Sequence, residues 1–191
     1  MDVMTAVMTR RSTHRLTAPA PSDEEFSYLL RAAALAPDHG VLRPWRWITV
    51  RGEDRHTLGA SFATTAAPEN RAKTAAKAMR APLLATLVFT PRPNPKVPEW
   101  EQLAATSAMS HSLMLLLHSR GFGSIWRTGP LTEDVGVRET LGLDSTERLL
   151  GWLYIGTPES RSAPRRRELT DVADHLTTFA GMGAGAHSAR M

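Results

Sequence analysis

The sequence contains no cysteine in its 191 residues. This absence excludes a disulfide framework and any metal site with thiolate ligands, and it fits a reducing compartment. The N-terminus carries Asp2 and lacks a continuous apolar segment, so we predict no secretory signal. The longest charge-free helical run, residues 103–119, is too short and too polar to span a bilayer. We therefore expect a soluble, cytoplasmic protein.

Several motifs that would indicate a particular chemistry are also missing. Gly121-x-Gly123 follows a predicted helix rather than a strand and has no third glycine, so it is not a dinucleotide fingerprint. There is no P-loop, no nucleophile elbow, no Ser-His-Asp order and no obvious catalytic carboxylate pair. His111 and His118 are two helical turns apart, too far to chelate one ion easily. We predict no metal site.

The chain has a formal net charge of +4, carried mostly by arginine. Two interpretations stay open, a solvated basic surface or a site for an anionic ligand. Nucleic acid is the less favoured ligand, because the basic residues are scattered and are not interleaved with aromatic ones. The exception is the run Arg165–Arg167, which lies in a polar segment predicted to be a loop.

With 42% apolar residues the chain can form a single core. We expect one domain over residues 1–178 and a disordered, Gly- and Ala-rich tail over residues 179–191. Hydrophobic periodicity and capping signals predict helices and strands that do not alternate regularly, which favours an α+β fold. The predicted helices cover residues 2–11, 22–36, 99–120 and 132–141, with two short ones within 53–79; the predicted strands cover 45–50, 83–90, 124–127 and 149–155.

Two stretches carry the main functional signals. Arg10-Arg11-Ser12-x-x-Arg15 ends the first helix with guanidinium groups that suit a phosphate, or that complement the helix dipole. The segment 121–129 supplies glycines for close approach to a flat ligand and an arginine in an extended piece. A flavin needs a backbone donor at N5 and a cation near N1, which Thr128 or Gly129 and Arg127 suit. Together they favour FMN over a dinucleotide.

Several motifs, in order and at nearly matching spacing over residues 1–160, resemble the nitroreductase family and its small YdjA-like branch. They are Arg10-Arg11-Ser12-x-x-Arg15, Ala36-Pro37-Asp38-His39, Pro44-Trp45-Arg46-Trp47, Lys96-Val97-Pro98-x-Trp100-Glu101, the segment 121–129 and Gly156-Thr157-Pro158.

The resemblance implies a nitroreductase-like α+β fold with a central, mainly antiparallel sheet flanked by helices, in an intertwined homodimer with active sites at the subunit interface. It implies an NAD(P)H-dependent FMN oxidoreductase that reduces nitro compounds, quinones or similar acceptors by ping-pong hydride transfer. Reductive dehalogenation, enone reduction and a flavin carrier or sensor remain alternatives, and a basic nucleic-acid-binding protein is a remote one. The physiological acceptor and the choice between NADH and NADPH stay open.

The resemblance also assigns residues to the cofactor, whose flavin carries the chemistry, so that no residue is named as catalytic. It places Arg10, Arg11 and Ser12 at the phosphate and ribityl end of FMN, Leu35 and His39 at the ring of the partner subunit, and Trp126, Arg127, Thr128 and Gly129 at the ring edge. Contacts to NAD(P)H are expected at Gly121, Phe122, Gly123 and Ser124. A C-terminal cationic phosphate ligand is expected at Arg161 or Arg165.

Overall fold

A computed structural model describes residues 1–160 and 165–179 of the chain. The helices are α1 (Val3–Thr9), α2 (Asp23–Ala33), α3 (Asp54–Thr64), α4 (Arg71–Ala75), α5 (Glu99–Ser119) and α6 (Val135–Thr140). The strands are β1 (Leu16–Thr17), β2 (Trp45–Arg51), β3 (Leu83–Phe89), β4 (Gly123–Arg127) and β5 (Arg148–Pro158). Short 3-10 turns cover His39–Val41, Pro68–Asn70, Ala76–Met79, Pro130–Thr132 and Ala173–His175.

The strand β5 organises the sheet. It pairs antiparallel with β1, β3 and β4, and β3 pairs antiparallel with β2. Every residue of β3 is buried, which explains why its sequence is a continuous apolar run rather than an alternating one. The antiparallel sheet with helices around it confirms the predicted α+β fold with a central, mainly antiparallel sheet.

Helices cover both faces of the sheet. On one face Leu83 and Leu87 pack against apolar side chains of α2 and α5, which include Leu29 and Leu113. On the other face Leu84 belongs to a cluster with residues of α3 and α6. Within the described residues, no helix is both long enough and apolar enough to cross a membrane. The predicted tail falls mostly on residues 180–191, which lie outside that range, so the boundary at residue 178 stays a prediction.

Most helix boundaries follow the capping signals in the sequence. The Ser22 side chain accepts a hydrogen bond from the Glu25 amide at 3.2 Å, as the capping box predicts. The helix predicted over residues 132–141 begins later than expected, at Val135. Thr132 is instead buried in a 3-10 turn and donates its hydroxyl to the Gly129 carbonyl, whereas Asp134 caps α6 by accepting from the Val137 amide. Asp134 caps the helix in place of Thr132 because its carboxylate is a strong acceptor at a helix N-terminus.

The strand β5 is longer than predicted and contains a bulge. Leu87 pairs with Gly151 and Val88 pairs with Leu149, so Leu150 is the extra residue. Gly151 has φ +110°, and a Cβ atom there would lie 2.3 Å from the Arg127 carbonyl oxygen. The Leu150 carbonyl accepts the indole N–H of Trp126 at 2.9 Å. The bulge therefore depends on glycine and holds a predicted site residue in place.

We predict that Gly151→Ala destabilises the fold far more than Gly52→Ala. Gly52 also has positive φ, +49°, but a Cβ atom added there would meet nothing within 4 Å, so its substitution should cost only about 1–2 kcal/mol of backbone strain. Gly151→Ala adds a steric clash with β4 to a similar strain. Urea unfolding of both variants measures the difference, and equal losses of unfolding free energy would contradict this role of the bulge.

Candidate functional site

A cavity of about 760 Å³ lies between the end of α1 and the turn that joins α5 to β4. Two predicted stretches that are distant in sequence, Arg10–Arg11 and Gly121–Ser124, meet in its wall. His118 and Arg165 complete the basic part of the wall, and no carboxylate is among the described lining residues. The electrostatic character of this cavity suits an anionic ligand.

Backbone contacts bring the two stretches together. The Thr13 amide donates to the Ser124 carbonyl at 3.0 Å, and Ser12 forms a parallel bridge to Ser124. A Cβ atom at Gly123 would lie 2.8 Å from the Leu16 side chain and 3.0 Å from Thr13, so a larger residue here would require these neighbours to shift. Ser12 itself is exposed and is not among the lining residues of the cavity.

The Arg10 side chain carries an unsatisfied donor. Its Nη1 atom is buried and has no hydrogen-bond partner. Burial, and then the positive charges of Arg167 and Arg11, lower the pKa of the Arg10 guanidinium. A buried donor without an acceptor is costly, and an anion in the cavity would satisfy it and offset the repulsion among these side chains.

Arg11 is placed differently from Arg10. Its Nη1 atom donates to the Met8 and Arg10 carbonyls at 2.9 and 3.1 Å, and its Nη2 atom donates to the Arg165 carbonyl at 2.7 Å. Arg11 therefore caps the end of α1 and fastens the C-terminal segment to it.

The run Arg165–Arg167 folds back onto α1. The Arg167 amide donates to the Met8 carbonyl at 3.0 Å, and its side chain donates to the Arg10 carbonyl at 2.7 Å. The Arg166 side chain donates to the Thr5 hydroxyl at 3.0 Å. These contacts bring Arg165 into the cavity wall. The other C-terminal candidate, Arg161, lies outside the described residues.

The predicted ring-edge residues lie at the far end of β4. Arg127 lines a second cleft of about 470 Å³ together with His14 and Arg80. Its Nη2 atom lies 3.2 Å from His14 Nδ1, its guanidinium lies 5.7 Å from the centroid of the Tyr154 ring, and its buried Nε has no partner. Thr128 and Gly129 follow in exposed positions. The structure thus places Arg127 outside the first cavity but on the strand that leads to it.

Leu35 and His39 line neither cleft. Leu35 follows α2 and is 86% exposed, and His39 is exposed beside Glu101. Within one chain the structure does not bring these two residues to the other candidates. Their exposure is what a contribution to a partner's site requires, and it leaves that assignment a prediction.

Sequence reasoning missed two histidines. His14 lies inside the motif of residues 10–15, where the arginines dominated the interpretation. His118 was considered only as a metal ligand, although it ends α5 next to the glycine turn. Its Nε2 atom lies 2.7 Å from the Thr9 hydroxyl oxygen. Because that hydroxyl donates to the Thr5 carbonyl at 2.6 Å, Nε2 must carry the proton. In residues 1–160 and 165–179 no group of histidine and acidic side chains could hold a metal ion.

Comparison with known proteins shows the family of the chain. The model of the Nitroreductase family matches residues 7–157, a range that contains the end of α1 and the strand β4 that joins the two clefts. The chain belongs to the Nitroreductase family. This membership confirms the resemblance found in the sequence and makes the chain a nitroreductase-type oxidoreductase.

Individual relatives agree with this assignment. YdjA of Escherichia coli K12, provisionally named an NAD(P)H nitroreductase, is 36% identical over 168 residues, which are 85% of this chain and 92% of YdjA. A nitroreductase-like family protein from Bacillus cereus superposes with a TM-score of 0.83 at 26% identity, over 95% of this chain and 97% of the other. A variant of the FMN- and NADPH-dependent nitroreductase NfnB from Sphigopyxis sp. strain HMH superposes with a TM-score of 0.71 at 20% identity. The superposition covers 95% of this chain and 100% of the NfnB chain.

We predict that His118 makes the fold less stable in mild acid. Burial, and then the charges of Arg10 and Arg11, lower the pKa of His118 below its usual 6.5. As the pH falls through 6.5, the unfolded chain binds a proton there before the folded protein does, so stability is lost. His118→Gln keeps an N–H donor for Thr9 and should lose less stability between about pH 7.5 and about pH 5.5 than the wild type. Urea unfolding at both pH values measures this, and equal losses would contradict the prediction.

Proposed function

We propose that this nitroreductase uses FMN and NAD(P)H to reduce nitro compounds, quinones or similar acceptors. The observation that carries the proposal is the buried, unpartnered Arg10 Nη1 atom in an arginine-lined cavity with no carboxylate among its described lining residues. The provisional name of YdjA includes NAD(P)H, and NfnB is named for its dependence on FMN and NADPH. These names support the same cofactors for this chain.

The residues present fit a phosphorylated, planar cofactor. Arg10 and Arg165 offer guanidinium donors to a phosphate, which Arg bonds with two parallel N–H groups. Ser12 lies beside this wall, and its hydroxyl could bond the ribityl chain. Ser124 and Arg127 are three residues apart on β4, roughly 10 Å along a strand. An elongated ligand with its phosphate at Arg10 can therefore lie along β4 toward Arg127.

When bound, FMN supplies the hydride transfer between NAD(P)H and the acceptor. The chain's own part is to bind and orient. Arg127 provides a positive charge at the ring edge, and the exposed residues Thr128 and Gly129 provide backbone N–H donors there. Gly121, with φ +87° and open space around its Cα atom, leaves room at the cavity mouth for the co-substrate. We assign Phe122, Gly123 and Ser124 to the same approach path.

We propose further that the protein is a cytoplasmic homodimer whose sites lie at the subunit interface. Leu35 and His39 are exposed and do not line the cavity of their own chain, and Trp100 on α5 is 69% exposed. Exposed apolar side chains of this kind mark an interaction surface. A second copy covering them would carry Leu35 and His39 to the partner's ring.

A nucleic-acid-binding function loses its main support in this geometry. The side chains of Arg166 and Arg167 donate hydrogen bonds to α1 and its C-terminal cap. The longest basic run is therefore engaged in contacts within the protein rather than presented to nucleic acid.

We predict that Arg10→Ala and Arg11→Ala differ in FMN binding. Arg10→Ala removes a charge-assisted phosphate contact and should weaken FMN affinity by about tenfold to a hundredfold. Arg11 donates to three backbone carbonyls, so Arg11→Ala should change FMN affinity by less than about threefold and should increase hydrogen exchange of the Arg167 amide. Fluorescence titration of FMN measures both affinities, with circular dichroism as the control for folding. Unchanged affinity in Arg10→Ala would overturn the phosphate assignment.

We predict that a mixed dimer of two variants, each defective in FMN binding by itself, regains one intact FMN site. Arg10→Ala and His39→Ala chains are co-expressed with different tags, and the mixed dimer is purified. If His39 acts across the interface, one site of the mixed dimer carries both defects and the other carries none. The mixed dimer should then bind about half as much FMN as the wild type, at a concentration where each variant homodimer releases it. Loss of FMN from both sites, or failure to form dimers, would contradict the interface assignment.

A further inference from the structure

The loop that carries His39 has an unusual backbone. Val41 and Arg43 have φ values of 50° and 46°, in the left-handed region that non-glycine residues avoid. Asp38 stabilises this conformation twice. Its carboxylate accepts the Arg43 amide at 2.7 Å, and its carbonyl accepts the Val41 amide at 2.9 Å. Strained backbone of this kind persists where surrounding structure holds it, often at functional sites.

The imidazole of His39 is fixed by a carboxylate from another element. His39 Nδ1 lies 3.0 Å from Glu101 Oε2, in the first turn of α5. An ionised carboxylate only accepts hydrogen bonds, so Nδ1 carries the proton. The neutral ring then has its lone pair on Nε2, and among the residues the structure describes Nε2 has no hydrogen-bond partner.

The backbone at Glu101 is held in place by hydrogen bonds around it. The Glu101 amide donates to the Pro98 carbonyl at 3.1 Å. Its neighbour Gln102 is 2% exposed and bonds to the Arg92 backbone and the Val97 carbonyl. Glu101 belongs to the motif of residues 96–101, of which the proposed function uses only Trp100. Three exposed apolar side chains lie close to the pair in sequence, namely Leu35, Val41 and Trp100.

We propose that Glu101 is a positioning residue for the flavin site of the partner subunit, acting through His39. It holds the Nδ1–H tautomer and directs Nε2 outward as a hydrogen-bond acceptor. The matching group on bound FMN is an N–H or O–H donor, which the ring imide and the ribityl hydroxyls supply. This inference rests on the proposed function. Covering the pair in the homodimer removes water from it and strengthens both hydrogen bonds.

The first test measures the tautomer of His39, which needs no turnover. Nitrogen-15 shifts of the imidazole are recorded for the full-length protein with and without added FMN. We expect Nδ1–H in the wild type and in Glu101→Gln, whose side-chain oxygen still accepts, and loss of this preference in Glu101→Ala. Glu99→Ala is the matched control, because Glu99 lies in the same helical turn but pairs with Arg148. An unchanged His39 pattern in Glu101→Ala would overturn the proposal.

The second test measures coupling in FMN binding. Glu101→Ala should weaken FMN affinity by about threefold to tenfold in the His39 protein and should cause no further loss in a His39→Ala background. Glu99→Ala should match the wild type in affinity. Equal losses in both backgrounds would show a structural role and overturn the proposal. Weakened binding in His39→Ala with normal binding in Glu101→Ala overturns this inference alone, whereas normal binding in His39→Ala contradicts the proposed interface site itself.

Discussion

The excess of positive charge at the end of α1 is the constraint on which the site depends. Arg10, Arg11 and Arg165 share one cavity wall, with no carboxylate among the wall residues that the structure describes. Backbone carbonyls at the end of α1 offset part of this charge. They accept hydrogen bonds from the side chains of Arg11 and Arg167, and they carry the negative end of the helix dipole. Arg10 is left with a buried, unsatisfied donor. The same cluster therefore holds the C-terminal segment against α1 and leaves the Arg10 guanidinium available to the proposed ligand.

Close packing of backbone segments places this cluster beside β4. Gly123 lets the chain after α1 lie against β4, and Gly151 lets β4 approach the bulge in β5. At Gly156 a Cβ atom would lie 2.8 Å from both Pro82 and the Thr17 carbonyl. In the sequence Gly123 indicated close approach to a flat ligand, whereas a Cβ atom added at this position would meet protein side chains. A glycine pattern near a ligand site can thus arise from the packing that positions the site.

The sequence was sufficient for features that depend on local interactions. The long helix α5, the buried strand β3 and the Ser22 cap follow from periodicity and capping chemistry, and the ordered motifs identified the family. Features that depend on long-range contacts could not be predicted. The return of Arg165 to Arg11 joins residues 154 positions apart, and the bulge at Leu150 is defined only by its pairing with β3. The placement of His118 beside Thr9 has the same origin, since the contact spans 109 positions.

In the proposed function, the separation between the cavity and the two residues Leu35 and His39 links cofactor binding to association of subunits. A single chain holds the basic wall and Arg127, but it leaves Leu35 86% exposed and His39 outside the lining of either cleft. Burial of exposed apolar side chains drives association. In the proposed homodimer that same burial completes the site, so a ligand that contacts both subunits favours the dimer over separated chains by mass action. Cofactor binding and dimer formation then stabilise each other. Because the loop around His39 is already held by hydrogen bonds, it loses less conformational freedom when the cofactor and the second subunit bind.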